Sequence, residues 1–195
     1  MRWWQTLGFL LLLAWFGQVS GWEILGLVLC AAAVHEAGHV AAMSLCGVKP
    51  QRFQLSVFGA EIAFDEAGVS YPQELAIFAA GPAADLLCGA ALCLAAKRGA
   101  GSFCTSGAFW VLGLFNLLPV APLDGGQILR LGLCWAFGPE RGERVASVVS
   151  LMCAGVLAGG LCWVMLESRG NLWLLPAALG GMLIAFQTGK RIKTV

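Results

Sequence analysis

Charge is scarce in this sequence. Only 12% of its 195 residues are Asp, Glu, Lys or Arg, where a soluble domain carries about 25%. A water-exposed surface of ordinary composition is therefore excluded. The net charge is +1, and no basic stripe marks a nucleic-acid partner, so none is expected. Histidine is scarcer still: His35 and His39 are the only two. The eight cysteines (Cys30, Cys46, Cys88, Cys93, Cys104, Cys134, Cys153 and Cys162) never form a C-x-x-C pair. They read as small apolar filling rather than as a disulfide or zinc framework. No linker, low-complexity segment, soluble domain or convincing internal repeat is visible.

Long apolar runs are abundant, with 59% of residues hydrophobic. Several runs reach the roughly 20 residues that a helix needs to cross a bilayer. The chain reads as one compact, all-α, multi-pass membrane domain over residues 1–195. The start, MRWWQTLGFLLLLAWFGQVSG, fits a signal peptide or a retained first helix over residues 4–18. Trp15 and Phe16 are poor neighbours for a cleavage site, and the next span follows at once. A second helix covers residues 22–46, a third 72–96, a fifth 145–166 and a sixth 172–186. The fourth starts near Phe103, breaks at NLLPVAPLDGG and resumes over 127–137, because Pro119, Pro122, Gly125 and Gly126 cannot share one straight helix. Between helices two and three, Phe53, Leu55 and Val57 alternate with polar residues, as do Ile62 and Phe64 after a turn at Phe58-Gly59-Ala60. That period of two predicts a small β-hairpin, with an irregular surface loop as the alternative.

Basic residues set the orientation. With six spans, Arg2, Lys49, Arg52, Arg141, Arg144, Lys190, Arg191 and Lys193 share one side. Lys97, Arg98 and Arg169 lie on the other. Both termini are expected in the cytoplasm, and the protein in the cell membrane.

Both histidines sit in AAAVHEAGHV, residues 31–40, inside an apolar run from Ile24 to Leu45. Residues four apart share a helix face, with Cβ atoms about 5–6 Å apart. His35 and His39 can therefore grip one ion through one nitrogen each. Glu36 lies roughly 100° around the helix, badly placed as a ligand but well placed to take a proton from water at the ion. Zinc is the usual metal for H-E-x-x-H. Chance alone produces this five-residue pattern in many proteins, as a polar cluster satisfied by its neighbours. Ionisable groups at the middle of a membrane helix are costly, however, and mark function by default. Gly38 and the alanines around it leave room for a neighbouring helix.

A catalytic zinc takes three protein ligands and keeps a position for water. No histidine remains, and Cys46 lies about 16 Å further along the helix axis than His35 at 1.5 Å per residue. The third ligand is expected among Asp85, Asp124 and the loop acids Glu61, Asp65 and Glu66. Asp124 is favoured because irregular backbone at membrane depth is tolerated where it lines a polar cavity. Otherwise it reads as an N-cap for a segment starting at Gly125.

HEAGH in helix two and NLLPVAPLDGG in helix four together resemble the site-2 protease family of intramembrane metalloproteases. Their order and spacing are most similar to the branch typified by stage IV sporulation protein FB. The resemblance implies that His35, His39 and Asp124 bind one zinc ion and that Glu36 is the general base. It also implies that Asn116 helps hold the substrate or the developing oxyanion. The family's helix-three motif, G-P-x-x-N, appears here as Gly81-Pro82-Ala83-Ala84-Asp85. The aspartate leaves Asp85 open between a hydrogen bond to the substrate strand, a role behind a metal ligand, and metal ligation itself. Residues 52–64 correspond to the family's strand region, an edge to which an unfolded substrate segment adds. No appended ligand-sensing or PDZ domain is expected.

The implied activity is hydrolysis of peptide bonds in or near transmembrane segments of membrane-tethered substrates, as in regulated intramembrane proteolysis. Its rivals are a transporter or metal channel using the same broken helix and midplane acids, and a relative that binds without cleaving. The transporter leaves Glu36 without a task, and the intact H-E-x-x-H argues against the second.

Overall fold

The computed structural model describes residues 3–56, 59–64, 68–100 and 102–167. The expected sixth span, the basic tail, Asp65 and Glu66 lie outside them. The chain divides into two compact units, Met1–Asn116 and Leu117–Val195.

The first unit begins with α1 (Trp3–Ser20) and α2 (Trp22–Leu45). They are separated at Gly21, whose φ of +94° is one that a side chain resists. Two strands follow, β1 (Pro50–Ser56) and β2 (Gly59–Phe64), paired antiparallel. The register sets Phe53 opposite Ile62 and Gln54 opposite Glu61, as a period of two demands. Gly59 and Ala60, expected in the turn, belong to β2. Residues 57 and 58 lie outside the described set.

Helix α3 (Tyr71–Lys97) starts where Gln73 accepts a hydrogen bond from the Ser70 backbone N–H at 3.0 Å, with Pro72 in the first turn, where its missing N–H costs nothing. Helix α4 (Phe103–Asn116) completes the unit, and α3 packs against both α2 and α4. The α2–α3 contact is tight. A Cβ built on Gly38 would lie 2.7 Å from the Ala80 carbonyl oxygen and 3.0 Å from the Ala84 Cβ. Small residues let membrane helices approach in this way where water supplies no driving force. Buried Ser106 of α4 donates to the Gly89 carbonyl of α3 at 2.8 Å.

The second unit comprises residues 117–123, α5 (Asp124–Phe137) and α6 (Pro139–Glu167). Val120 and Ala154 form its buried centre, covered by Leu118, Leu123, Cys153 and Leu157. Ser150 Oγ of α6 accepts the Ala121 backbone N–H at 2.8 Å, so this partly buried turn does not leave that donor unmet. Helix α5 starts at Asp124, three residues before the expected Gln127, because its two glycines serve contact rather than flexibility. A Cβ on Gly126 would lie 2.6 Å from the Val120 carbonyl carbon, and one on Gly125 would collide with the Leu117 carbonyl. Asp124 is thus the first helical residue and Leu123 the N-cap, a correction to the N-cap reading. Helix α6 starts at Pro139, not near Val145. Gly138, at φ +83°, sets it off from α5, and proline suits a helix's first turn.

Trp22–Leu45, Tyr71–Lys97 and Pro139–Val164 are long and apolar enough to cross a membrane, and Leu10–Ser20 and Phe103–Asn116 are shorter apolar helices. Leu87, Val111, Val156 and Trp163 are exposed. On helices this apolar, outward side chains of that kind suit lipid and not water. The protein is a membrane protein.

Candidate metal centre

Helix α2 runs unbroken through the histidine pair, so His35 and His39 share a face, each buried to below a tenth of its surface. Continuity to Leu45 also keeps Cys46, the C-cap residue, away from them. Helix α3 presents one stripe toward the imidazoles at intervals of four residues: Ile77, Gly81 and Asp85. His39 Nδ1–H donates to the Ile77 carbonyl at 2.7 Å. His35 Nδ1–H donates to Asp85 Oδ2 at 2.7 Å. Gly81 leaves the rings their space, since a Cβ there would lie 2.7 Å from His39 Cε1 and 2.9 Å from His35 Cε1.

These partners decide which nitrogens remain. A carbonyl only accepts, so the proton of neutral His39 is on Nδ1. With Asp85 as the carboxylate, His35 carries its proton on Nδ1 too. Both Nε2 atoms then offer lone pairs, and they stand 3.1 Å apart with ring planes at 79°. Two lone pairs held that close repel unless positive charge lies between them. A divalent cation answers this geometry, and the outer hydrogen bonds are those that orient metal-ligating imidazoles. Asp85 adds to the case. Its side chain is fully buried, and among the described residues its Oδ1 has no hydrogen-bond partner. A buried anion with one partner is costly unless cationic charge is close.

The structure thus brings His35, His39 and Asp85 together. Glu36, half-buried, is the next residue on α2. Asn116 ends α4, where its Nδ2 donates to the Leu112 carbonyl at 3.2 Å. Asp124 opens α5, partly buried, beside the buried Gly125 and Gly126. Sequence reasoning missed the Ile77 carbonyl, a backbone group with no side-chain signature. It also missed Gly81 as the space for the rings, although the Gly-Pro pair was a signal for a close approach.

Peptidase family M50 matches residues 95–158. Rip3 of Mycobacterium tuberculosis, a protein named as a zinc metalloprotease, is 32% identical over 181 residues, covering 82% of this chain and 43% of that protein. Stage IV sporulation protein FB of Bacillus subtilis is 29% identical over 175 residues, covering 86% and 60% respectively. The chain therefore spans less than two thirds of the length of these curated relatives. A solved site-2 protease from Methanocaldococcus jannaschii shares the fold, with a TM-score of 0.69 at 24% identity, over 95% of this chain and 88% of that one.

Proposed function

The chain belongs to the site-2 protease family of zinc metalloproteases, and from that premise we propose that it hydrolyses peptide bonds in or near the transmembrane segments of membrane-tethered proteins. The observation that carries this reading is the pair of Nε2 atoms 3.1 Å apart, with both Nδ1 atoms engaged behind them.

His35, His39 and Asp124 are the proposed ligands of one zinc ion. Two imidazoles and a carboxylate make a donor set that suits zinc and keeps a fourth position for water or substrate. Bound zinc supplies Lewis acidity, bringing the pKa of water at the site down to about 7 and polarising the scissile carbonyl. Glu36, on the helix that carries both imidazoles, takes the proton from the attacking water and delivers it to the departing amine. Asn116 spends one amide N–H on the Leu112 carbonyl and keeps a second for the substrate or the developing oxyanion. The β1–β2 hairpin offers an edge for a substrate segment that has left its helix.

The proposed topology has six spans, with residues 103–137 counted as one interrupted span, residues 172–186 as the sixth, and both termini cytoplasmic. The sporulation protein FB branch is the proposed place within the family. Rip3 is named as a zinc metalloprotease and the solved structure as a site-2 protease, and no observation favours the transporter reading.

Glu36→Gln tests the proposal in the purified chain with a membrane-spanning substrate in detergent. Zinc content should equal that of the wild type while cleavage falls by at least the 10²–10⁴-fold that a general base contributes. Cleavage at the wild-type rate overturns the assignment of Glu36. Failure of the wild type to cleave any membrane substrate while it moves metal across proteoliposomes overturns the protease reading.

A further inference from the structure

Hydrolysis as proposed gives Asp85 no task, yet Asp85 is the most completely buried acid among the described residues. An asparagine in its place would have nearly the same shape, so what the aspartate adds is charge.

The two imidazoles are served unequally from behind. His39 Nδ1–H meets a neutral backbone carbonyl. His35 Nδ1–H meets a carboxylate at the same 2.7 Å. A hydrogen bond to an ionised acceptor is roughly twice as strong as one between neutral groups. It also draws positive character onto the Nδ1 proton and electron density toward Nε2, which makes that nitrogen the better donor to a metal. Among the described residues, Oδ1 has no hydrogen-bond partner. The neighbouring helix, α4, comes close with a glycine, since a Cβ on Gly113 would lie 3.0 Å from the Asp85 Cβ. A residue serving packing alone would be apolar here, because a buried oxygen left without a partner is costly.

We propose that Asp85 is a positioning residue that forms a carboxylate–imidazole relay with His35, holding its proton on Nδ1 and making His35 the stronger of the two histidine ligands. The inference rests on the zinc reading above. The charge of the carboxylate, and not its shape, is the contribution.

The scarcity of histidine makes this testable without assignment work, because the whole histidine spectrum consists of two rings. The full chain, labelled with ¹⁵N-histidine and loaded with zinc in detergent, is compared with Asp85→Asn. The wild type should show two Nδ1–H protons, one well downfield of the other. In Asp85→Asn the downfield one should move toward its partner while the other stays in place. Zinc affinity, read by competition with a chelator, should weaken about 10- to 100-fold. Unchanged histidine shifts and unchanged zinc affinity in Asp85→Asn overturn the relay and leave Asp85 a packing residue. Should the variant fail to fold, the wild-type spectrum decides: two Nδ1–H protons at the same shift overturn it. A wild-type chain that binds no zinc fails the zinc reading itself, an outcome separate from zinc bound with equivalent histidines.

Discussion

Spacing of four residues puts two imidazoles on one helix face, but each ring still turns about its last torsion and can present either nitrogen. In this protein the choice is made by α3, through the Ile77 carbonyl and the Asp85 carboxylate. Gly81 makes the choice possible by leaving the rings their volume. Gly81→Ala would add a Cβ 2.7 Å from His39 Cε1 and 2.9 Å from His35 Cε1, while alanine favours the helix by up to about 1 kcal/mol. The expected result is undiminished helicity by circular dichroism with zinc retention reduced about tenfold, the lower end of the scale for disturbed ligand support. Undiminished zinc in this variant would show that the rings do not depend on that space. The pairing of His35 and His39 was legible because it is local: one helix, one turn, two side chains. Asp85 was not, and the sequence leaves it among three roles. It lies fifty positions from His35, and only the approach of α2 to α3 makes them neighbours.

At the level of elements, the long apolar helices were legible and their ends less so. Pro119, Pro122, Gly125 and Gly126 were read as breakers of the fourth helix, which holds for residues 117–123 but not at 125 or 126, where the glycines admit neighbouring backbone. The turn ahead of α5 is held to α6 by the Ser150 hydroxyl, which accepts the Ala121 N–H. Ser150 is itself buried. Ser150→Ala removes the acceptor and leaves a partly buried donor without it, at an expected loss of about 1 kcal/mol. Thermal unfolding in detergent measures it as a lowered midpoint. An unchanged midpoint would mean that the turn is held by Val120 and its apolar neighbours alone. Sequence periodicity also pointed to the β1–β2 region, where Phe53 stands opposite Ile62 in the paired strands.

Across the whole molecule, the claim is that a chain rich in lipid-facing helices carries one hydrophilic centre, assembled from histidines in one segment and an aspartate in another. Membrane character followed from composition, and membership of the family from the pairing of two motifs. Eight cysteines supply the natural competitor as zinc ligands, since thiolate binds this ion well. X-ray absorption at the zinc edge of the purified full chain separates the two directly. The account predicts nitrogen and oxygen neighbours at about 2.0–2.2 Å, outer-shell scattering from two imidazole rings, and no sulfur. Sulfur at about 2.3 Å, or fewer than two imidazoles around the ion, would contradict it.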